Sequence, residues 1–119
     1  MPLYLKKSDT YTWPINFKMP IDNGKHQTVK FQCKFQRLKQ SEIEDYQKRL
    51  SVTDLDALFK TSRECAKKVI VGWVDVLDED ENEIEFNENN LNVLLELPTL
   101  AIAVSTTYIN SLTEAKVKN

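Results

Sequence analysis

Asp78, Asp80 and Asn82 stand at alternate positions in an acidic run, Asp78-Glu79-Asp80-Glu81-Asn82. That spacing matches the first three ligands of a calcium-binding helix-loop-helix loop. Such a loop needs glycine at its sixth position and a bidentate glutamate at its twelfth; here those places hold Glu83 and Asn89. With the two most demanding positions missing, the run reads as a solvated hairpin turn, exposed because its like charges repel. His26 is the sole histidine, and it falls just past a turn where exposure is the default. No nucleophile elbow, phosphate-cradling glycine loop or paired-histidine metal motif occurs, and the chain has only two glycines. The sequence therefore predicts no catalytic, cofactor-binding or metal-ligating residues, and no enzyme. Cys33 and Cys65 each sit on an apolar position of their own segment and read as buried free thiols in a reducing cytoplasm.

The elements that must position these groups are bounded by ordinary composition. At 119 residues, with 41% hydrophobic and 29% charged residues, one globular domain spanning 1–119 is expected. No apolar run approaches the ~20 residues that cross a bilayer. The N-terminus, MPLYLKKSDTYTW, lacks the pattern of a signal peptide. The net charge of −2 hides an asymmetry: residues 1–70 carry 14 Lys/Arg against 8 Asp/Glu, and residues 71–119 carry 2 against 10. Lys18, Lys30 and Lys34 alternate with apolar residues as a solvated strand face does, which disfavours nucleic acid as a partner. Opposite charges on the two halves favour head-to-tail self-association or simply cover two solvated faces.

Tyr11, Trp13, Ile15, Phe17 and Met19 alternate with polar or small residues, and Val29, Phe31, Cys33 and Phe35 do the same. Asn23-Gly24 between them supports the positive backbone angles of a hairpin turn, and Pro14 places the first arm at a sheet edge. A hairpin over 11–36 is expected, burying Tyr11, Trp13, Ile15, Phe17, Phe31 and Phe35. A mainly helical part over 41–116 follows, starting at capping boxes Ser41-x-x-Glu44 and Ser51-x-x-Asp54. Ile43, Tyr46 and Leu50 form a narrow stripe. Leu55, Leu58, Phe59, Ser62, Cys65, Ala66, Val69, Ile70 and Trp73 form the strongest helix signal, ending or bending at Gly72. Trp73, beside the acidic turn at 78–82, reads as core rather than as a ligand platform. Beyond the turn, Ile84 and Phe86 form a short arm, and Asn87 caps a helix carrying Leu91, Leu94 and Leu95. Pro98 opens the last helix, whose stripe is Ala101, Val104, Tyr108, Leu112 and Ala115, widened by Ile102 and Ile109. The tail from Lys116 to Asn119 is expected to fray. The fold class is α+β, an N-terminal antiparallel β-hairpin packed on a small bundle of about four helices.

Several pieces, in order, resemble a known family across nearly the whole chain. They are Trp13-Pro14-Ile15 with Asp22-Asn23-Gly24-Lys25, then Phe31-Gln32-Cys33-Lys34-Phe35-Gln36-Arg37-Leu38 and Gln40-Ser41-Glu42-Ile43. Val71-Gly72-Trp73, Asp78-Glu79-Asp80, Phe86, Leu94-Leu95-x-x-Pro98, Tyr108 and Lys118-Asn119 complete the set. The chain resembles the small tail assembly chaperones of long-tailed bacteriophages, in their short form. It departs from them at Glu81, where members usually carry glycine; Asn82 is expected to take the left-handed conformation there.

The resemblance implies a non-enzymatic role: binding the tape measure protein, keeping its apolar helical surface soluble, and helping to recruit tail tube protein. It also implies host cytoplasm as the location, absence from the mature virion, and in many members a longer product of ribosomal frameshifting. No cofactor, nucleic acid or membrane is implied, while self-association is compatible with it. The apolar width of the last helix makes Ile102, Tyr108, Ile109 and Leu112 the candidate partner-binding residues. Two rivals differ in class: a small interaction module such as a host-protein inhibitor, and a divalent-metal-responsive regulator using residues 78–88.

Overall fold

Two long strands, β1 (Thr10–Ile21) and β2 (Lys25–Gln36), pair antiparallel in unbroken register from Thr10 opposite Gln36 to Ile21 opposite Lys25 in the computed structural model. The structure describes residues 1–5 and 9–113, so expectations for Ala115 and for the tail, including Lys118-Asn119, lie outside the described residues. Asn23 and Gly24 turn the chain with φ of 67° and 70°, the left-handed geometry that this residue pair tolerates. Ile15, Phe17, Phe31, Cys33 and Phe35 are buried on one face, and Lys18, Lys30, Gln32 and Lys34 are exposed on the other. Trp13 corrects the expectation. It points with the apolar set yet stays 39% exposed, because β1 is an edge strand and gives so large a ring no neighbour on its outer flank. Tyr11 is half-buried and meets Trp13 edge-on, with ring centres 6.1 Å apart.

The helices begin elsewhere than the sequence motifs propose. Helix α1 spans Gln40–Leu50, and its first turn is closed by Glu42, whose carboxylate accepts the Lys39 N–H at 3.2 Å. Lysine has no side-chain acceptor to complete a reciprocal box, and Ser41-x-x-Glu44 does not form one. Helix α2 (Leu55–Val69) is capped by Asp54 itself, which accepts the Asp56 N–H; Ser51 instead bonds back to the Gln47 carbonyl. The long helical pattern then breaks early: Ile70–Val74 is a third strand, β3, antiparallel to β2, with Cys33 opposite Trp73. Ile70 and Trp73 satisfy helical and strand spacing alike. The β-branched Ile70, Val71 and Val74, together with the otherwise unpaired edge of β2, decide for strand. Gly72 therefore lies within a strand, where an added Cβ would stand 3.4 Å from Lys34 Cβ.

Helix α3 (Glu88–Leu94) starts as expected at Asn87, whose side chain accepts the Asn90 N–H at 2.8 Å. Pro98 does not open the last helix. It precedes Thr99, the left-handed cap (φ 65°) of α4 (Leu100–Ser111). Helices α2 and α4 pack together, and the core joins Phe35, Cys65, Val69, Leu100, Val104 and Tyr108. The fold class is α+β, with three strands in the order β1-β2-β3 and four α-helices among the described residues.

Candidate interaction surface

Tyr108 is central to the last helix, but inside it. The residue is fully buried, its ring meets Phe35 edge-on at 5.1 Å, and its hydroxyl donates to the Gln36 carbonyl while accepting the Leu38 N–H, both at 2.9 Å. Burial raises its phenol to about 12. With no surface left, Tyr108 drops out of the candidate partner set. Ile102, Ile109 and Leu112 are half-buried, and the latter two pack against the core.

Ile102 opens onto something larger. Between α2 and the start of α4 lies a cleft of about 190 Å³, lined by Phe59, Ser62, Arg63, Leu97, Thr99 and Ile102 among others. Phe59 and Leu97 are each 38% exposed, and Leu55, one turn before Phe59 on α2, is 61% exposed. Two residues of this lining are locally strained or unsatisfied. The Ser62 hydroxyl is buried without a hydrogen-bond partner, although its carbonyl accepts from Ser105 Oγ at 3.0 Å. Thr99 holds positive φ, which is costly for a β-branched side chain.

Helical spacing puts Leu55 and Phe59 in the core stripe of α2 and carries no signal for Leu97 or Thr99. Phe59 stands at the shoulder of that stripe. Helical spacing cannot tell a shoulder residue that is covered from one that is open.

The acidic turn is a narrow hairpin tip. Leu77 and Glu83 pair, Ile84 N–H bonds to the Val76 carbonyl at 2.8 Å, and the Asp78 carboxylate accepts the N–H groups of Asp80 and Asn82 at 2.9 and 3.0 Å. Glu81, rather than Asn82, takes the left-handed conformation, with φ of 64°. A type I turn followed by a left-handed residue closes such a loop, and the left-handed place falls at position 81. Trp73 is half-buried beneath, donating its indole N–H to the Ile84 carbonyl at 2.8 Å and meeting Phe86 edge-on at 5.0 Å. Among the described residues no three His, Cys, Asp or Glu side chains converge where a metal ion would sit. His26 is exposed, and burial pushes the Cys33 thiol up to about 12 and the Cys65 thiol upward.

A family model described as phage tail assembly chaperone matches residues 1–119, the whole chain. The chain belongs to that family. Membership carries a role in phage tail assembly and interaction with phage tail proteins. No curated protein and no solved structure matches the chain. No described helix of this tail assembly chaperone is long and apolar enough to cross a membrane.

Proposed function

We propose that this tail assembly chaperone works without catalysis, binding the tape measure protein along the α2–α4 seam, keeping it soluble, and helping tail tube protein to join it. The observation that carries this reading is a cleft between α2 and α4 lined by the exposed Phe59 and Leu97 and the half-buried Ile102, with the exposed Leu55 one turn before Phe59. A tape measure protein presents long amphipathic helices, and such a helix lays its apolar face into a groove of this kind. The work would take place in the host cytoplasm, with the chaperone leaving before the virion is complete, as a single domain with no cofactor. Where the gene carries a frameshift site, a longer product would share this domain.

Leu55→Glu and Phe59→Glu test the surface. Both side chains are exposed, so the variants should melt within a few degrees of the parent while losing pull-down of co-expressed tape measure protein. A folded double variant that still solubilises that protein would remove the seam from consideration. A parent protein that never holds the tape measure in solution would end the tape measure reading itself.

A further inference from the structure

The sheet has one covered face and one open face. Helices lie against the side where Ile15, Phe31, Cys33 and Phe35 are buried. On the other side Asn16, Thr28 and Gln32 lie among Lys18, Lys30 and Lys34, and all six are exposed. β1, β2 and β3 contain no aspartate or glutamate, so the only charges these strands give that face are cations. Lys30 and Lys34 stand about 13 Å apart along β2 at the ~3.3 Å rise per residue of a strand. Lys18, opposite Thr28, lies diagonally beside Lys30.

The counter-charge is on the same chain. From Asp75 to Glu96 the sequence has nine carboxylate side chains and neither lysine nor arginine. Glu79, Asp80, Glu81 and Glu83 are exposed on the hairpin, whose backbone is fixed by the pairing of Leu77 with Glu83 and by the turn bonded to the Asp78 carboxylate. Among the described residues no ion pair engages these four carboxylates or the three lysines of the sheet face.

We propose that the acidic hairpin of one copy docks on the lysine face of the sheet in a second copy. A hairpin cannot serve its own sheet in this way. Trp73 stands opposite Cys33, and directly opposed residues of paired strands point to the same side. Trp73 donates to the Ile84 carbonyl and packs on Phe86, so the hairpin is anchored on the helix side, behind the lysines. Face and hairpin are different surfaces, so the contact is heterologous. Each copy offers one of each, and copies add head-to-tail into rings or filaments. Opposed charge steers the two surfaces together and rejects face on face or hairpin on hairpin. A single exposed ion pair is weak, but several formed together and repeated along an assembly add up. The contact does not depend on what occupies the α2–α4 seam.

Sedimentation velocity of the full chain at low salt is expected to show species above the monomer that grow with concentration and disperse at high salt. Lys30→Glu with Lys34→Glu should return a monomer, and so should Glu79→Lys with Glu81→Lys. All four side chains are exposed, so circular dichroism and melting temperature should stay near the parent's. Mixing the two variants should restore association, because the untouched hairpin of the first meets the untouched face of the second. Lys60→Glu with Lys67→Glu makes the same charge change at exposed positions of α2 and should leave association intact. A monomer under every condition would overturn the proposal. So would association that survives either reversal, a mixture that stays monomeric, or an equal loss in the α2 control.

Discussion

Tyr108 ties three segments through one side chain. Its hydroxyl holds the end of β2 and the chain leading to α1, and its carbonyl accepts from Ser111, whose Oγ in turn meets the Tyr11 hydroxyl at 2.6 Å. Tyr108→Phe keeps the ring contact with Phe35 but strands the Leu38 N–H and the Gln36 carbonyl. It should cost about 1–3 kcal/mol in urea denaturation. The same burial makes alkali destabilising. Tyr46 and Tyr108 are both raised to about 12 by burial, with the nearby Glu64 adding to the effect at Tyr46. Their contribution is whole below the unfolded phenol value of about 10 and is lost as pH rises from there through 12. Glu81 offers a gain instead. Glu81→Gly relieves an L-residue held at positive φ on an exposed tip and should stabilise by about 1 kcal/mol, read as a higher denaturation midpoint with an unchanged slope. No change on this substitution would mean that the turn relaxes in solution.

At the scale of elements, α1 meets α2 through its narrow apolar stripe, with Tyr46 in the core, and through polar contacts beside it. Arg49 reaches Glu64 through two hydrogen bonds of 2.7 and 3.1 Å and lies over the Tyr46 ring, and Lys68 meets Glu42 at 2.9 Å. The Arg49 hydrogen bonds hold the Glu64 carboxyl below its ordinary value, and the Lys68 contact does the same for Glu42. Carboxyls lowered on folding stabilise above their unfolded values, and the contribution disappears as pH falls through the folded ones. Stability should therefore decline on acidification below about pH 4.5, and Glu64→Gln should flatten that decline. Both partners are solvent-exposed, so the effect at neutral pH should be small and weakened by salt.

Across the whole molecule, Phe35 is where sheet and helices meet: it faces Tyr11 on one side, pairs with Ile70 on the other, and packs against Tyr108. Phe35→Ala should cost about 3–5 kcal/mol, a large share of the 5–15 kcal/mol that stabilises a domain of this size. If the 119 residues form one domain, tryptophan fluorescence and far-ultraviolet circular dichroism should follow a single coincident unfolding transition. Separated transitions would divide the sheet from the helices.

What the sequence determined by itself is whatever short-range chemistry dictates. Alternation over residues 11–35 needs only the two faces of a strand, Asn23-Gly24 needs only the positive φ that those residues tolerate, and Asn87 needs only a short acceptor before a helix. All three are present where the pattern puts them. The family was legible for a similar reason, through small motifs in a fixed order. Tertiary structure decided the rest. Val69-Ile70 and Trp73 fit helix and strand equally, and the open side of β2, far away in sequence, turned 70–74 into a strand. Phe59, Tyr108 and Ile109 all satisfy an apolar helical stripe, yet Tyr108 is sealed, Ile109 is half-covered and Phe59 lies open. Periodicity records which face of a helix is apolar. Only packing decides how far the neighbouring elements reach around that face, and so which of its residues are left for a partner.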